Sequence, residues 1–208
     1  MTTVIETIRA QRIIAVVRLE YYDQALAVTQ ALLAGGIAVI EFTLTGKGAH
    51  QAIEAVRAEF GEGIQVGVGT VLQLYQAEEA IRAGAQFVVT PVVQPNVINV
   101  CRSQNTPIIC GALTPTEALA AHTAGADLIK IFPARLGGPS YIRDLLAPLP
   151  FLGLVPTGGV SASNARAYIE AGAVAIGAGG NLVSAQAVAR KNWEEITAQA
   201  QAYVGALA

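Results

Sequence analysis

Three lysines occur among the 208 residues, and only one interrupts an apolar run. Lys47 lies between Gly46 and Gly48, and Lys191 lies in the C-terminal helical stretch; solvated surface positions account for both. Lys130 instead sits inside Leu-Ile-Lys-Ile-Phe, residues 128–132. If that run is a strand, alternation points Lys130 either into a barrel or into the helices packed around it. An ammonium held among apolar groups loses solvation, which favours the neutral amine, and a neutral amine is the form that attacks a ketone. A lysine buried against a carboxylate for purely structural reasons would leave the same pattern.

Glu41 is the natural partner, because it too is polar among apolar neighbours, in Ile-Ala-Val-Ile-Glu-Phe (37–42). Addition of an amine to a ketone, loss of water and bond cleavage each require a proton to move, and a carboxylate within reach can carry it. A salt bridge to Lys130 or Arg18 is the alternative, and it would disfavour a neutral lysine. Arg18 ends the run 13–18 and offers a bidentate fork to a substrate carboxylate; pairing with Glu20 is its structural alternative. Thr157-Gly158-Gly159 and Gly177-Ala178-Gly179-Gly180 follow two further apolar runs. Backbone N–H groups without a neighbouring Cβ approach an anion closely, and two such stretches together point to a phosphate. His50 and His122 fall in helical stretches and read as surface or helix-end residues. No His/Glu set has zinc-ligand spacing. Cys101 and Cys110 also lack metal spacing and read as buried small hydrophobes.

These residues need elements to hold them, and a repeated phrase supplies the plan. Ala34-Gly35-Gly36, Ala83-Gly84-Ala85, Ala124-Gly125-Ala126 and Ala171-Gly172-Ala173 each end an apolar-periodic stretch and run into a short apolar segment. Glycine ends a helix in the left-handed conformation, and an unbroken apolar run is a strand buried on both faces. The spacing, in the forties, holds two strand–helix units per interval. Strands are expected at 13–18, 37–42, 65–70, 87–90, 107–110, 128–132, 153–156 and 174–177. Helices are expected at 23–34, 48–60, 73–83, 94–103, 115–124, 141–147, 161–171 and 184–204. Eight such units predict a TIM (β/α)₈ barrel spanning 1–208 as a single domain, with its chemistry at the C-terminal strand ends. An open doubly wound sheet is the competing arrangement, but Leu19-Glu20-Tyr21-Tyr22 after the first strand lacks its glycine fingerprint. A short N-terminal helix is marked by Thr3 and Glu6 as a capping box, and Val4, Ile5 and Ile8 on one face are expected to seal the barrel floor.

Composition narrows the rest. The chain is 53% hydrophobic and 13% charged, against a charged share of about a quarter in ordinary domains. Charges, Gly and Pro interrupt every apolar stretch short of the ~18 residues of a spanning helix. The first residues lack signal-peptide character, since Glu6, Arg9 and Arg12 break them up. A cytoplasmic location with no membrane association is expected. A net charge of −2 with no basic stripe argues against nucleic acid as a partner. Sparse charge also suggests that some surface is covered in a homo-oligomer.

The segments IIAVVR (13–18), AGGIAVIEFTL (34–44), GVGTV (67–71), AGAQFVVTP (83–91), LIKIFPA (128–134) and PTGGV (156–160), in this order and spacing, are specific in combination. Over nearly its whole length the chain resembles the KDPG/KHG aldolase family (2-keto-3-deoxy-6-phosphogluconate and 4-hydroxy-2-oxoglutarate aldolases). The resemblance implies a class I aldolase that cleaves a phosphorylated keto acid to pyruvate and glyceraldehyde 3-phosphate, without metal or organic cofactor, as a homotrimer. It implies Lys130 as the Schiff-base lysine and Glu41 as general acid/base. It puts Arg18 and Thr70 on the pyruvate carboxylate, Pro91, Phe132 and Thr157 around the pyruvyl group, and Gly158, Gly159, Gly179 and Gly180 on the phosphate. Three positions depart from the family pattern. Thr45 stands where many members carry an arginine, a role Arg18 would take over. Arg135 replaces a glutamate. Gly180, followed by Asn181, replaces a serine, a loss of about 0.5–1.5 kcal/mol if no other donor compensates. The segment KIFPARLGGPSYI (130–142) also resembles the branch acting on 2-keto-3-deoxy-6-phosphogalactonate. Two other classes compete: a sugar-phosphate epimerase or isomerase barrel, which would form no adduct with pyruvate, and an inactive oligomeric scaffold, natural or engineered, which would release none.

Overall fold

The computed structural model describes residues 3–208. Its strands are β1 (Ile13–Val17), β2 (Val39–Thr43), β3 (Gln65–Gly69), β4 (Phe87–Val89), β5 (Ile108–Ala112), β6 (Leu128–Ile131), β7 (Leu154–Pro156) and β8 (Ile176–Ala178). They form one parallel sheet in the order β7-β6-β5-β4-β3-β2-β1-β8. A parallel bridge between Thr157 and Gly177 and a hydrogen bond from the Val174 N–H to the Leu154 carbonyl at 3.0 Å bring β7 back to β8. Sequential neighbours and this closure define the TIM barrel and exclude the open doubly wound sheet, whose strand order reverses midway.

The helices are α1 (Val4–Gln11), α2 (Ala25–Ala34), α3 (Ala49–Phe60), α4 (Leu74–Arg82), α5 (Pro95–Ser103), α6 (Pro115–Ala124), α7 (Gly138–Leu146), α8 (Ala162–Glu170), α9 (Ala185–Ala189) and α10 (Trp193–Leu207). The glycine stops behave as the repeat predicts: Gly36, Gly84, Gly125 and Gly172 all have left-handed φ, between 92° and 105°. Two expectations need correction. The helix placed at 141–147 begins earlier, at Gly138, because Pro139 at its first turn is preorganised for a helix start. The last helix, expected unbroken over 184–204, is two. Lys191 turns left-handed at φ 53°, and the Asn192 side chain then caps α10 by accepting from the Glu195 N–H.

Two apolar layers stabilise the barrel. The outer one lies between strands and helices and includes Val28, Leu32, Phe42, Ile53, Val66 and Ile129. The inner one fills the barrel with Ile14, Val39, Phe87, Val89, Ile109, Leu128, Val155 and Ala175. Ile8 of α1 belongs to this inner layer, and Val4 and Ile5 pack against it, so α1 seals the floor as expected. The Thr3/Glu6 capping box that starts α1 is present, with reciprocal bonds of 2.7 and 3.2 Å. The inner layer occupies the lower part of the barrel, which leaves the next inward-facing positions along each strand for polar side chains.

Candidate active site

Alternation along the strands decides where Lys130 points. Leu128 lies in the inner layer, and Lys130, two residues on, shares its face. Val39 and Glu41 stand in the same relation on β2. The inward positions one step above the apolar filling therefore carry one amine and one carboxylate. They meet: Lys130 Nζ lies 3.9 Å from Glu41 Oε1, with both side chains almost fully buried. This is the one ion pair among the described residues, and it is too long to be a direct hydrogen bond. Glu41 Oε1 has no other hydrogen-bond partner. The Phe132 ring covers the amine from above, its centroid 5.5 Å from Nζ.

Small residues make room for this pair. Gly69 faces Glu41 from β3, and a Cβ added there would fall directly on the Glu41 carboxylate. Gly111 sits in register with Lys130 across the β5–β6 ladder, and a Cβ there would strike the Pro91 backbone. Pro91 can therefore fold over the end of β5, where Thr90 fixes the turn. Its hydroxyl donates to the Val92 carbonyl at 2.8 Å and accepts from the Gly111 N–H at 3.0 Å. Tyr22 ties β1 to β2 on the other side. Its hydroxyl accepts from the Thr43 N–H at 3.0 Å and lies within hydrogen-bond distance of the Val17 and Thr43 carbonyls. Burial pushes the Tyr22 phenol above its ordinary 10.0, which keeps it neutral near Glu41.

Thr70 follows β3 with φ 59°, an unfavourable conformation for a β-branched residue and one that recurs where a site dictates side-chain direction. Thr157, buried at the end of β7, lies against Gly177 so closely that a Cβ on that glycine would overlap it. Above the Lys130–Glu41 pair opens a cleft of about 620 Å³, whose lining includes Arg18, Phe132, Thr157, Gly158, Gly159, Gly179 and Gly180. Phe132 belongs to both: it covers Lys130 and lines the cleft. The structure therefore brings together seven of the eleven expected site residues in one cleft, and the Lys130–Glu41 pair lies beneath it. Thr70 and Pro91 stand at neighbouring strand ends on the same mouth but do not line the cleft. Arg18 makes no ion pair with Glu20 among the described residues.

The two glycine pairs differ in kind. Gly158 and Gly159 have φ of 89° and 85°, and a Cβ at Gly158 would press on the Phe132 ring at 3.2 Å. Gly180 has an ordinary φ, and a Cβ there would meet nothing within 4 Å. Its backbone faces open cleft. Arg135, Val16, Asn181, Val183 and Ala185 also line the cleft. None was among the expected site residues: Val16 comes from β1, and Arg135, Asn181, Val183 and Ala185 come from segments beyond the strand ends that only the fold brings together. The Asn181 amide is occupied, donating to the Val160 carbonyl at 3.0 Å. Among the described residues no three His, Cys, Asp or Glu side chains converge, and no helix is long and apolar enough to cross a membrane.

A closed (β/α)₈ barrel that holds a buried amine beside a carboxylate, beneath a glycine-lined cleft, has the groups that enzymes of carbonyl chemistry use. Residues 4–199 match the family model described as KDPG and KHG aldolase. The 2-dehydro-3-deoxy-phosphogluconate aldolase of Treponema pallidum is 37% identical over 97% of this chain and 96% of its own length. The 2-dehydro-3-deoxy-6-phosphogalactonate aldolase of Escherichia coli is 33% identical over 92% of this chain and 94% of its own. The solved KDPG aldolase of Legionella pneumophila, with pyruvate captured as a covalent carbinolamine, superimposes with a TM-score of 0.88. It is 29% identical and covers 95% of this chain and 96% of its own. The chain belongs to the KDPG and KHG aldolase family, and it is an aldolase, a lyase.

Proposed function

We propose that this enzyme cleaves 2-keto-3-deoxy-6-phosphogluconate to pyruvate and glyceraldehyde 3-phosphate through a Schiff base on Lys130. The observation that carries the reading is the buried Lys130–Glu41 pair at 3.9 Å beneath a cleft that holds Arg18 and two glycine pairs. Lys130 Nζ adds to the C2 ketone, and Glu41 relays protons as the carbinolamine forms and expels water. The iminium accepts the electron pair of the C3–C4 bond as it breaks. The C4 hydroxyl loses its proton to become the aldehyde, and an enamine remains. Protonation at C3 and hydrolysis by one water release pyruvate and free the amine. Arg18 and Thr70 hold the carboxylate, while Pro91, Phe132 and Thr157 enclose the pyruvyl group. The backbone of Gly158, Gly159, Gly179 and Gly180 receives the phosphate. None of these steps calls for a metal or organic cofactor.

The galactonate-derived epimer is the second substrate reading. The resemblance of KIFPARLGGPSYI (130–142) to the branch acting on that epimer favours it. The same proposal covers residues 1–208 as one domain, a cytoplasmic location and a homotrimer. The low charged share of the sequence, 13%, supports assembly.

The test is reduction with borohydride in the presence of pyruvate, followed by mass analysis. A stable adduct is expected on the peptide that contains Lys130, and Lys130→Ala should abolish both adduct and turnover. Pyruvate release from the gluconate- and galactonate-derived acids then ranks the two substrates. Absence of an adduct in the unmodified enzyme would refute the Schiff-base reading.

A further inference from the structure

We infer that Arg135 is a specificity-determining residue whose guanidinium selects substrates ending in a dianionic group on the aldehyde half. The inference rests on the aldolase reading above and gives a role to a residue that reading leaves without one.

Backbone pairing fixes where Arg135 lies. The β6–β7 ladder continues beyond both strands: the Ala134 N–H donates to the Thr157 carbonyl at 2.8 Å, and the Arg135 N–H to the Gly158 carbonyl at 3.0 Å. This continuation lays the Arg135 stem across Gly159. A Cβ on Gly159 would meet the Arg135 Cβ at 2.5 Å and its Cγ and Cδ at 3.4 Å. A side chain at 159 would thus displace the arginine, so the glycine that frees the backbone N–H also makes room for the stem.

Charge supplies the second argument. The residues lining this cleft include two arginines and no aspartate or glutamate. Neither arginine has a carboxylate within 4 Å among the described residues. Two uncompensated guanidiniums on one cleft favour a substrate that is anionic at both ends, with its carboxylate on Arg18 and a distal anion on Arg135. At that far end a phosphomonoester has the oxygens and the charge to pair with the Arg135 guanidinium, whose fork geometry suits it. A hydroxymethyl group in the same place gains neither charge pairing nor a bidentate fork.

The test compares kcat/KM for the phosphorylated 2-keto-3-deoxy sugar acid and its unphosphorylated counterpart in the unmodified enzyme, Arg135→Ala, Arg135→Gln and Arg135→Lys. Loss of one charge-assisted contact corresponds to about 10- to 100-fold. Arg135→Ala should lower the ratio of the two kcat/KM values by about that factor, through KM rather than kcat. Arg135→Gln keeps most of the stem and should lose as much, whereas Arg135→Lys keeps the charge and should lose less. Inhibition by inorganic phosphate should weaken in parallel. If the unmodified enzyme prefers the phosphorylated acid and both neutral variants keep its ratio, the role of Arg135 is overturned and the aldolase reading stands. An unmodified enzyme that cleaves both acids equally well has the same consequence. Failure to release pyruvate from either acid overturns both.

Discussion

A methyl group on Gly69 has no place to go except into the Glu41 carboxylate. The Lys130–Glu41 geometry thus depends on an atom that is absent. Gly69→Ala should push Glu41 away from Lys130 and reduce kcat by about 100-fold or more, the usual contribution of a positioned acid/base group. If Gly69 acts only through Glu41, the double variant with Glu41→Gln should be no slower than Glu41→Gln alone. Additive losses would show that Gly69 has another role. Gly180 gives the opposite case. It has room for a side chain and no left-handed constraint, so Gly180→Ser should fold as stably as the parent. A hydroxyl facing the cleft should lower KM for the phosphorylated acid by about two- to tenfold, the value of one added hydrogen bond; a raised KM would argue that the distal anion lies elsewhere. Lys130 and Glu41 stand out in the sequence because each is a lone charge in an apolar strand, but alternation alone leaves two faces open, and the inner layer that holds Leu128 and Val39 decides between them. Gly69 does not stand out, since its meaning depends on the register of β3 against β2, which pairs Glu41 with Gly67 and Thr43 with Gly69. Arg135 was visible only as a departure from a pattern, and its position follows from loop hydrogen bonds that no spacing rule encodes.

Elements matter here by which end of the barrel they serve. α1 closes the floor, opposite the mouth, with Ile8 fully buried. Ile8→Ala should cost about 2–5 kcal/mol through lost burial and the cavity left behind. A lowered midpoint in denaturant unfolding, with kcat/KM unchanged in the folded enzyme, is the expected result. A loss of activity at unchanged stability would mean that the floor communicates with the site. The repeated glycine stops made the strand–helix alternation readable, because a left-handed C-terminus is a local requirement. The break between α9 and α10 was missed although local signals for it exist: Ser184 and Asn192 each cap a helix from three residues upstream. Neither a Ser nor an Asn inside a helical stretch marks a break by itself; the left-handed turn at Lys191 makes Asn192 a cap. The early start of α7 rests likewise on Pro139 in its first turn.

On the scale of the whole molecule, the barrel buries acidic protons as well as apolar surface. Burial pushes the Cys101 thiol from its ordinary 9.0 up to about 12 and the Tyr203 phenol from 10.0 up to about 12. Cys110, Tyr22 and Tyr168 are raised for the same reason. In each case the folded state holds the proton more tightly than the unfolded chain. For Cys101 and Tyr203 the unfolded chain therefore releases its protons near pH 9 and 10, and the folded state does so only as pH approaches 12. The stability attached to these groups is fully present below about pH 9 and is lost as pH rises from there. At the acid end the sign reverses. Glu6 and Glu117 are held below their ordinary 4.5 by the N–H groups they accept from at helix starts, so their contribution is lost as pH falls below that value. Both are exposed, which makes the acid effect the smaller one. Denaturant midpoints measured from neutral to alkaline pH should therefore fall steadily above about pH 9. Cys101→Ala should start from a lower stability but fall less steeply, because one of the groups resisting ionisation is gone. Equal slopes for the two proteins would show that the alkaline transition is set by the tyrosines and Cys110 and that the Cys101 thiol contributes nothing to it.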